Sequence, residues 1–355
     1  MEQQKEQALT FQCQNCGGTI KWNIAKQQLE CVSCRAPFVP ENRYGPIQEH
    51  DYNSFLASEQ QEQTFPGETL VTCSSCGAQM IFGQQDTAKV CPMCGSSQVM
   101  EHRQIAGVAP DGLIPFRVDK TTAQLCFRQW ISSLTFAPNR LKKAVQQGKL
   151  EAVYLPFWTF DTQTEASYSG QGGDTRQDDE GHSYTDWTSV RGHLSVFFDD
   201  LAICAATGPV QDLIGGILPY STQNGSVPYD SAYLSGYSAQ RYSLKADQAF
   251  EQAAQGIRTY LKQQAEQEIK DRGYDTAQVN QLDVHFYNVG YKHILVPAWV
   301  SSFFYQGKSY LYLINGETGK VSGKRPYSAL KILAACVGLI AVITIIVLLL
   351  GGSPQ

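Results

Sequence analysis

The chain has few of the features that mark an enzyme or a nucleic-acid binder. Its 28 Lys and Arg are outnumbered by 33 Asp and Glu, for a net charge of −5. A protein that grips a phosphate backbone shows a basic face, yet residues 1–105 hold seven Lys and Arg against eleven Asp and Glu. No G-x-x-x-x-G-K-[ST] phosphate cradle is present: Gly307-Lys308-Ser309 has Ser302 in place of the leading glycine, and Gly319-Lys320 runs into Val321. That removes the usual route to nucleotide-driven work. A G-x-S-x-G nucleophile elbow is also missing. The six histidines (His50, His102, His182, His193, His285 and His293) are dispersed without an H-E-x-x-H pair, so they read as surface or hydrogen-bonded residues rather than ligands. The opening Met1-Glu2-Gln3-Gln4-Lys5-Glu6 is polar, unlike a secretory leader, and predicts a reducing compartment.

The cysteines, by contrast, are patterned. Cys13, Cys16, Cys31 and Cys34 read C-x2-C-x14-C-x2-C, and Cys73, Cys76, Cys91 and Cys94 repeat that spacing. A zinc ion takes four soft ligands in a tetrahedron, and each C-x2-C turn presents two thiolates from one tight knuckle. Two knuckles joined by a hairpin close the tetrahedron, as in a zinc ribbon. Gly17-Gly18, Gly77 and Gly95 sit where the knuckle backbone favours positive φ. Strand-like Thr19–Trp22 and Gln79–Phe82 lie between the knuckles. Disulfides require an oxidising setting, and a thioredoxin-type C-x-x-C does not come as four copies in two matched pairs. Both frames are therefore expected to bind structural zinc, with every position filled by thiolate and none left for water or substrate. Cys126, Cys204 and Cys336 lie in apolar surroundings and read as small hydrophobes.

At the other end, Ile332–Leu350 contains neither charge nor proline. As a helix it spans about 28 Å, close to the hydrocarbon thickness of a bilayer. Lys324, Arg325 and Lys331 precede it and no basic residue follows, which predicts a single-pass anchor in the inner (cytoplasmic) membrane with the N-terminal bulk in the cytoplasm.

The expected order is a ribbon at 1–40, a Gln- and Glu-rich linker at 41–69, a second ribbon at 70–105, a central domain at 106–325, the membrane helix at 332–350 and a tail at 351–355. The linker carries one short helical pattern near Tyr52–Leu56. In the central domain, Asp119 or Thr121 caps a helix running to Leu134, and Asn139 opens another that Gly148 ends. Leu244, Phe250, Ala254, Ile257, Leu261, Ala265 and Ile269 recur at helical spacing, with Gly273 as the stop. Tyr154–Phe160, Leu282–Tyr287 and Lys308–Ile314 read as strands of an antiparallel sheet, with Asn315-Gly316 and Thr318-Gly319 in a hairpin turn. Thr162–Trp187 reads as a long exposed hairpin or lid. Its Asp174, Asp178, Asp179 and Glu180 lack the ordered positions of a calcium loop and read as solvated. Pro156 and Trp158 recur as Pro297 and Trp299 at the same offset, a two-residue echo compatible with a duplicated helix-plus-sheet unit. The fold class expected is α+β.

The order of these motifs resembles the bacterial TFIIB-type zinc-ribbon membrane proteins. The resemblance rests on the two cysteine frames, Leu113–Lys120, Tyr154–Asp161, Leu295–Trp299, and Asn315–Gly323 running into a membrane segment. It implies an adaptor that holds SPFH-domain and phage-shock PspA-type proteins at the membrane in envelope stress. The resemblance carries over to the cysteines only and names no residues for a partner surface.

The sequence thus reads as a membrane-anchored, non-enzymatic adaptor with two structural zinc ions. Two other readings stay open. One is a tethered regulator touching nucleic acid or polymerase through Lys21, Lys26 and Arg35; the other is an enzyme or ligand-binding protein built on the central domain. Ending the chain at Ser328 is expected to move the protein from the membrane to the soluble fraction. Soluble full-length protein, or membrane-bound truncated protein, would refute the anchor.

Overall fold

In the computed structural model, the described residues are 13–40, 47–58, 63–73, 75, 78–83, 91, 100–144, 150–206 and 208–351. The first cysteine frame carries its own three-stranded antiparallel sheet: β1 (Ile20–Asn23), β2 (Gln28–Cys31) and β3 (Pro37–Phe38). A second, mixed sheet of twelve strands runs through the rest. Its members include β4 (Gln79–Gly83), β5 (Gly112–Leu113), β6 (Glu151–Gln177), β7 (Ser183–Cys204), β8 (Ser238–Gln240), β9 (Thr276–Tyr305) and β10 (Lys308–Asn315). Helices α1 (Lys120–Ser133) and α2 (Ala246–Asp271) pack on it, and α3 (Ala329–Gly351) ends the described chain. The fold is α+β, as the sequence implies.

The centre of the sheet is the antiparallel pair β6–β9, in which Leu155 lies opposite Val296. Around that pair the contacts occur twice. Trp299 Nε1 donates to the carbonyl of Val118 at 2.8 Å, and Trp158 Nε1 donates to that of Leu244 at 2.8 Å. Each carbonyl stands two residues before a helix, α1 in the first case and α2 in the second. Trp299 meets Phe116 edge-on at 5.3 Å, and Trp158 meets Tyr242 edge-on at 5.2 Å. The amides of Arg117 and Val118 share the Gly316 carbonyl, as those of Ser243 and Leu244 share the Ala205 carbonyl. Gly316 and Ala205 in turn donate to the carbonyls of Pro297 and Pro156. Strand β5 runs parallel to β9 at Ile294–Leu295, and β8 runs parallel to β6 at Val153–Tyr154. The helices match too: Ala123, Phe127 and Ile131 of α1 are buried, as are Ala249, Ala253 and Ile257 of α2. The Pro-x-Trp echo therefore marks two equivalent units, and each unit's tryptophan secures the helix entry of the other.

This arrangement explains the apolar runs. Residues 153–160 of β6 and 291–300 of β9 are buried throughout, because both faces of the sheet are covered there. Leu155, Phe157, Ile294 and Val296 point to one side, while Tyr154, Leu295 and Trp299 point to the other. Further along, β6, β7 and β9 continue as a three-stranded blade. At 27 residues β6 is roughly 90 Å long. Helix α2 covers one face of the blade, burying Ile257 and Leu261 against Ala166 and Ile269 beside Tyr168. The other face is solvated, with Glu165, His193 and His285 on it.

Three expectations differ from what is observed. The Thr162–Trp187 hairpin is not a lid but regular blade, half-buried under α2, because its alternate residues Thr162, Thr164, Ala166 and Tyr168 face inward. Asp178 closes its tip by accepting from the amides of Glu180 and His182. The 41–69 linker is docked over residues 47–58: Tyr52 packs on Phe160 and Phe250, and Phe55 on Trp158 and Tyr291. The sheet also crosses the boundary after residue 105, since β4 of the second cysteine frame pairs with β8.

Replacing Trp158 or Trp299 with Phe removes one buried donor and leaves a carbonyl unpaired, a loss of about 1–3 kcal/mol each. The two substitutions are expected to lower thermal stability by comparable amounts, measured on the full chain in detergent. A marked difference between them would contradict the equivalence of the two units.

Candidate metal centre

The first cysteine frame folds as two matched knuckles. The amide of Gly17 donates to the Cys13 carbonyl at 2.7 Å, and that of Arg35 to the Cys31 carbonyl at 3.0 Å. Both turns end in left-handed backbone, with φ of 73° at Gly17 and 62° at Arg35. Gly18 permits close approach: a Cβ there would lie 2.6 Å from Ser33 Oγ and 3.0 Å from Cys31 Sγ.

The knuckles bring the four sulfurs of Cys13, Cys16, Cys31 and Cys34 within 4.8 Å of one another. Cys13 and Cys34 Sγ are 3.6 Å apart, and Cys16 and Cys31 Sγ 3.5 Å. A disulfide needs about 2.05 Å. Four sulfurs about 2.3 Å from a central ion would lie roughly 3.8 Å from each other, so the spacing fits a tetrahedral metal and not a covalent pair. The amides of Cys34 and Ser33 point at Cys31 and pull its thiol down to about 6. The group can hold a metal ion, and soft all-sulfur ligation is the donor set that zinc favours.

Glu30 braces the second knuckle from behind. It accepts from Lys26 Nζ at 2.7 Å, Asn23 Nδ2 at 2.7 Å and Arg35 Nη1 at 3.1 Å. These contacts, Lys26 first, hold its carboxyl down at about 2. The ribbon is then seated on the central domain by Trp22. Its Nε1 donates to the Phe116 carbonyl at 2.9 Å, and its ring lies 5.2 Å from Tyr233. The opposite side stays open: residues 14–17 and 32–35 are exposed, Val32 to 48%.

In the second frame, the Cys73 amide donates to the Ala78 carbonyl at 3.0 Å, repeating the bonds from Cys13 to Gly18 and from Cys31 to Ala36. Cys73 and Cys91 are buried beside Met80 and Ile114. Cys76 and Cys94 lie outside the described residues. The other predicted feature, the apolar tail, forms α3. Its Ala329–Ile346 window has a mean hydropathy of 2.6, and none of it is buried within the molecule. Among the described residues, one helix is thus long and apolar enough to cross a membrane.

The five described histidine side chains are hydrogen-bonded or ion-paired. His50 meets Asp111 at 2.7 Å, His193 meets Glu165 at 2.5 Å, His285 meets Asp283 at 3.3 Å, and His182 meets Asp178 at 3.5 Å. Buried His293 faces the Val108 carbonyl at 3.2 Å.

A buried charge cluster went unread in the sequence. Lys292 Nζ lies 2.8 Å from Asp200, 3.0 Å from Glu49 and 3.6 Å from Asp161. Asp161, Asp199 and Asp200 have the spacing of a cation site, but the Lys292 ammonium already supplies the positive charge. Burial pushes Asp161 up to about 6, against the opposing pull of the Asp200 amide and the Lys292 ammonium. The cluster pins the docked linker, through Glu49, to a bend where Asp200 (φ 52°) and Asn288 (φ 51°) mark bulges in β7 and β9. Adjacent Asp199-Asp200 in an otherwise alternating strand was the signal available.

The chain is 27% identical over 242 residues to a Bacillus subtilis (strain 168) protein named "Uncharacterized protein YdjG", a similarity spanning 66% of this chain and 69% of YdjG. No protein-family model and no solved structure matches the chain. Elemental analysis of the purified full chain is expected to give about two zinc ions, falling to about one with Cys13→Ser and Cys16→Ser together. Two ions retained in that variant would place the metal elsewhere.

Proposed function

We propose that this chain is a membrane-anchored adaptor of the cytoplasmic face, in which two structural zinc ions stiffen a scaffold that binds other proteins. The observation that carries the reading is the first cysteine site. All four positions are sulfur, so a bound metal has no open coordination position and contributes folding energy rather than chemistry. That energy holds a ribbon with one face docked through Trp22 and the other, bearing both knuckles, turned to solvent.

Helix α3 supplies the anchor and the basic residues before it the orientation. The partners implied by the resemblance are SPFH-domain and PspA-type proteins, and the open knuckle face is where they are read to bind. The reading assigns no catalytic step and no nucleic acid.

The test is affinity purification from gently solubilised membranes, comparing the wild-type chain with Val32→Glu. That substitution charges the open face without touching a ligand. A few stoichiometric membrane-associated proteins are expected with the wild type and reduced several-fold with the variant, while zinc content stays unchanged. Recovery of polymerase subunits or nuclease-sensitive nucleic acid instead would overturn the adaptor reading.

A further inference from the structure

Helix α3 does not leave the domain from a bare stalk. The amide of Ser328 donates to the Phe136 carbonyl at 2.8 Å. Lys331 Nζ donates to the carbonyls of Ala137 at 2.8 Å and Thr135 at 3.2 Å. These bonds bring the loop after α1 to the first turn of the candidate membrane helix. Two clefts open at this junction. One, of about 500 Å³, is lined by Trp130, Ser322, Gly323, Lys324, Arg325 and Tyr327, among others. Its neighbour, of about 350 Å³, is lined by Trp130, Thr135, Phe136 and Arg325, among others. Trp130 and Arg325 are common to both.

The charge of this region runs against that of the chain. Residues 120–144 include Lys120, Arg128, Arg140, Lys142 and Lys143 and no acid, and residues 324–331 add Lys324, Arg325 and Lys331, again with no acid. The rest of the chain therefore carries all the acid behind the net charge of −5. Lys324, which lines the larger cleft, pairs with Asp212 at 2.7 Å. Arg325 has no carboxylate partner among the described residues. Its guanidinium lies 5.6 Å from the centre of the exposed Tyr327 ring.

From these observations we infer that the junction is a binding site for the phosphate of an anionic phospholipid headgroup, drawn from the leaflet that α3 enters. Arg325 is the principal ligand, and Lys324 assists it. The inference rests on the anchor reading. If Ala329 begins the membrane span, Arg325 and Tyr327 stand at headgroup depth, and the clefts open to the lipid phosphates. Arginine suits the task because its planar fork matches phosphate oxygens. Tryptophan and tyrosine have their preferred place at this interface. A cluster of basic residues beside a membrane helix attracts anionic lipid at roughly five-fold in affinity for each charge. Such a contact fixes the domain's tilt on the membrane, beyond what a single helix attached through one backbone segment provides.

The test reconstitutes the full chain in nanodiscs of phosphatidylcholine, with or without phosphatidylglycerol, and follows hydrogen exchange at 130–137 and 321–327. Phosphatidylglycerol is expected to slow exchange there by roughly five-fold or more. The effect should vanish in Arg325→Gln with Lys324→Gln, while zinc content and carbonate-resistant insertion persist. Insertion without any dependence on phosphatidylglycerol would overturn the lipid site and leave the anchor standing. Failure to insert in either disc would overturn the anchor and the site together. Equal protection by inorganic phosphate in detergent would overturn lipid as the ligand. The single variant Arg325→Lys, which retains charge but not the fork, is expected to keep part of the effect, separating lost binding from lost folding.

Discussion

Most of this structure hangs on one antiparallel pair. Strands β6 and β9 meet at Leu155 and Val296, and because one face of each points at the other unit's helix entry, Trp158 reaches Leu244 and Trp299 reaches Val118. A slip of one residue would turn both indoles to the wrong face and leave two buried carbonyls without donors. Register, helix position and burial of the Tyr154–Phe160 run are thus a single constraint met twice. The two cysteine frames depend on it as well. Trp22 of the first donates to the carbonyl of Phe116, whose ring meets Trp299 edge-on, and β4 of the second adds to the sheet at β8.

The two units share a frame but have grown apart. Helix α2 has 26 residues and backs a long blade, whereas α1 has 14 and ends at the loop that receives α3. Cluster charge follows the same division. The α1 side is basic around Arg128 and Arg140, while Asp161, Asp199 and Asp200 gather where the blade bends away. A repeated scaffold is therefore put to two uses, one end toward the candidate membrane helix and the other projecting from it.

A metal held by the four sulfurs would add to the core rather than replace it. A ribbon of this size lacks the apolar area to fold alone. Here Ile20, Trp22 and Leu29 join the main core, so the first cysteine frame is held by its sulfurs on one side and by burial on the other. Val32 and Val39 remain exposed on its open side.

What the sequence determined by itself was whatever short-range chemistry dictates. Two cysteines three residues apart must share a knuckle, so the clustering of Cys13, Cys16, Cys31 and Cys34 was legible from spacing. The long α2 followed from helical periodicity, and α3 from an unbroken apolar run. The Pro-x-Trp echo hinted at two units, but nothing local says that each tryptophan serves the opposite helix, across 86 and 181 residues of chain. The same holds for Glu49 meeting Lys292, and for the glycine-rich Thr162–Trp187 stretch, whose polar composition hid a regular strand. Those outcomes were decided only in the tertiary structure, because strand register and long-range ion pairs are set by which distant surfaces come to face each other, a choice that no local window of residues contains.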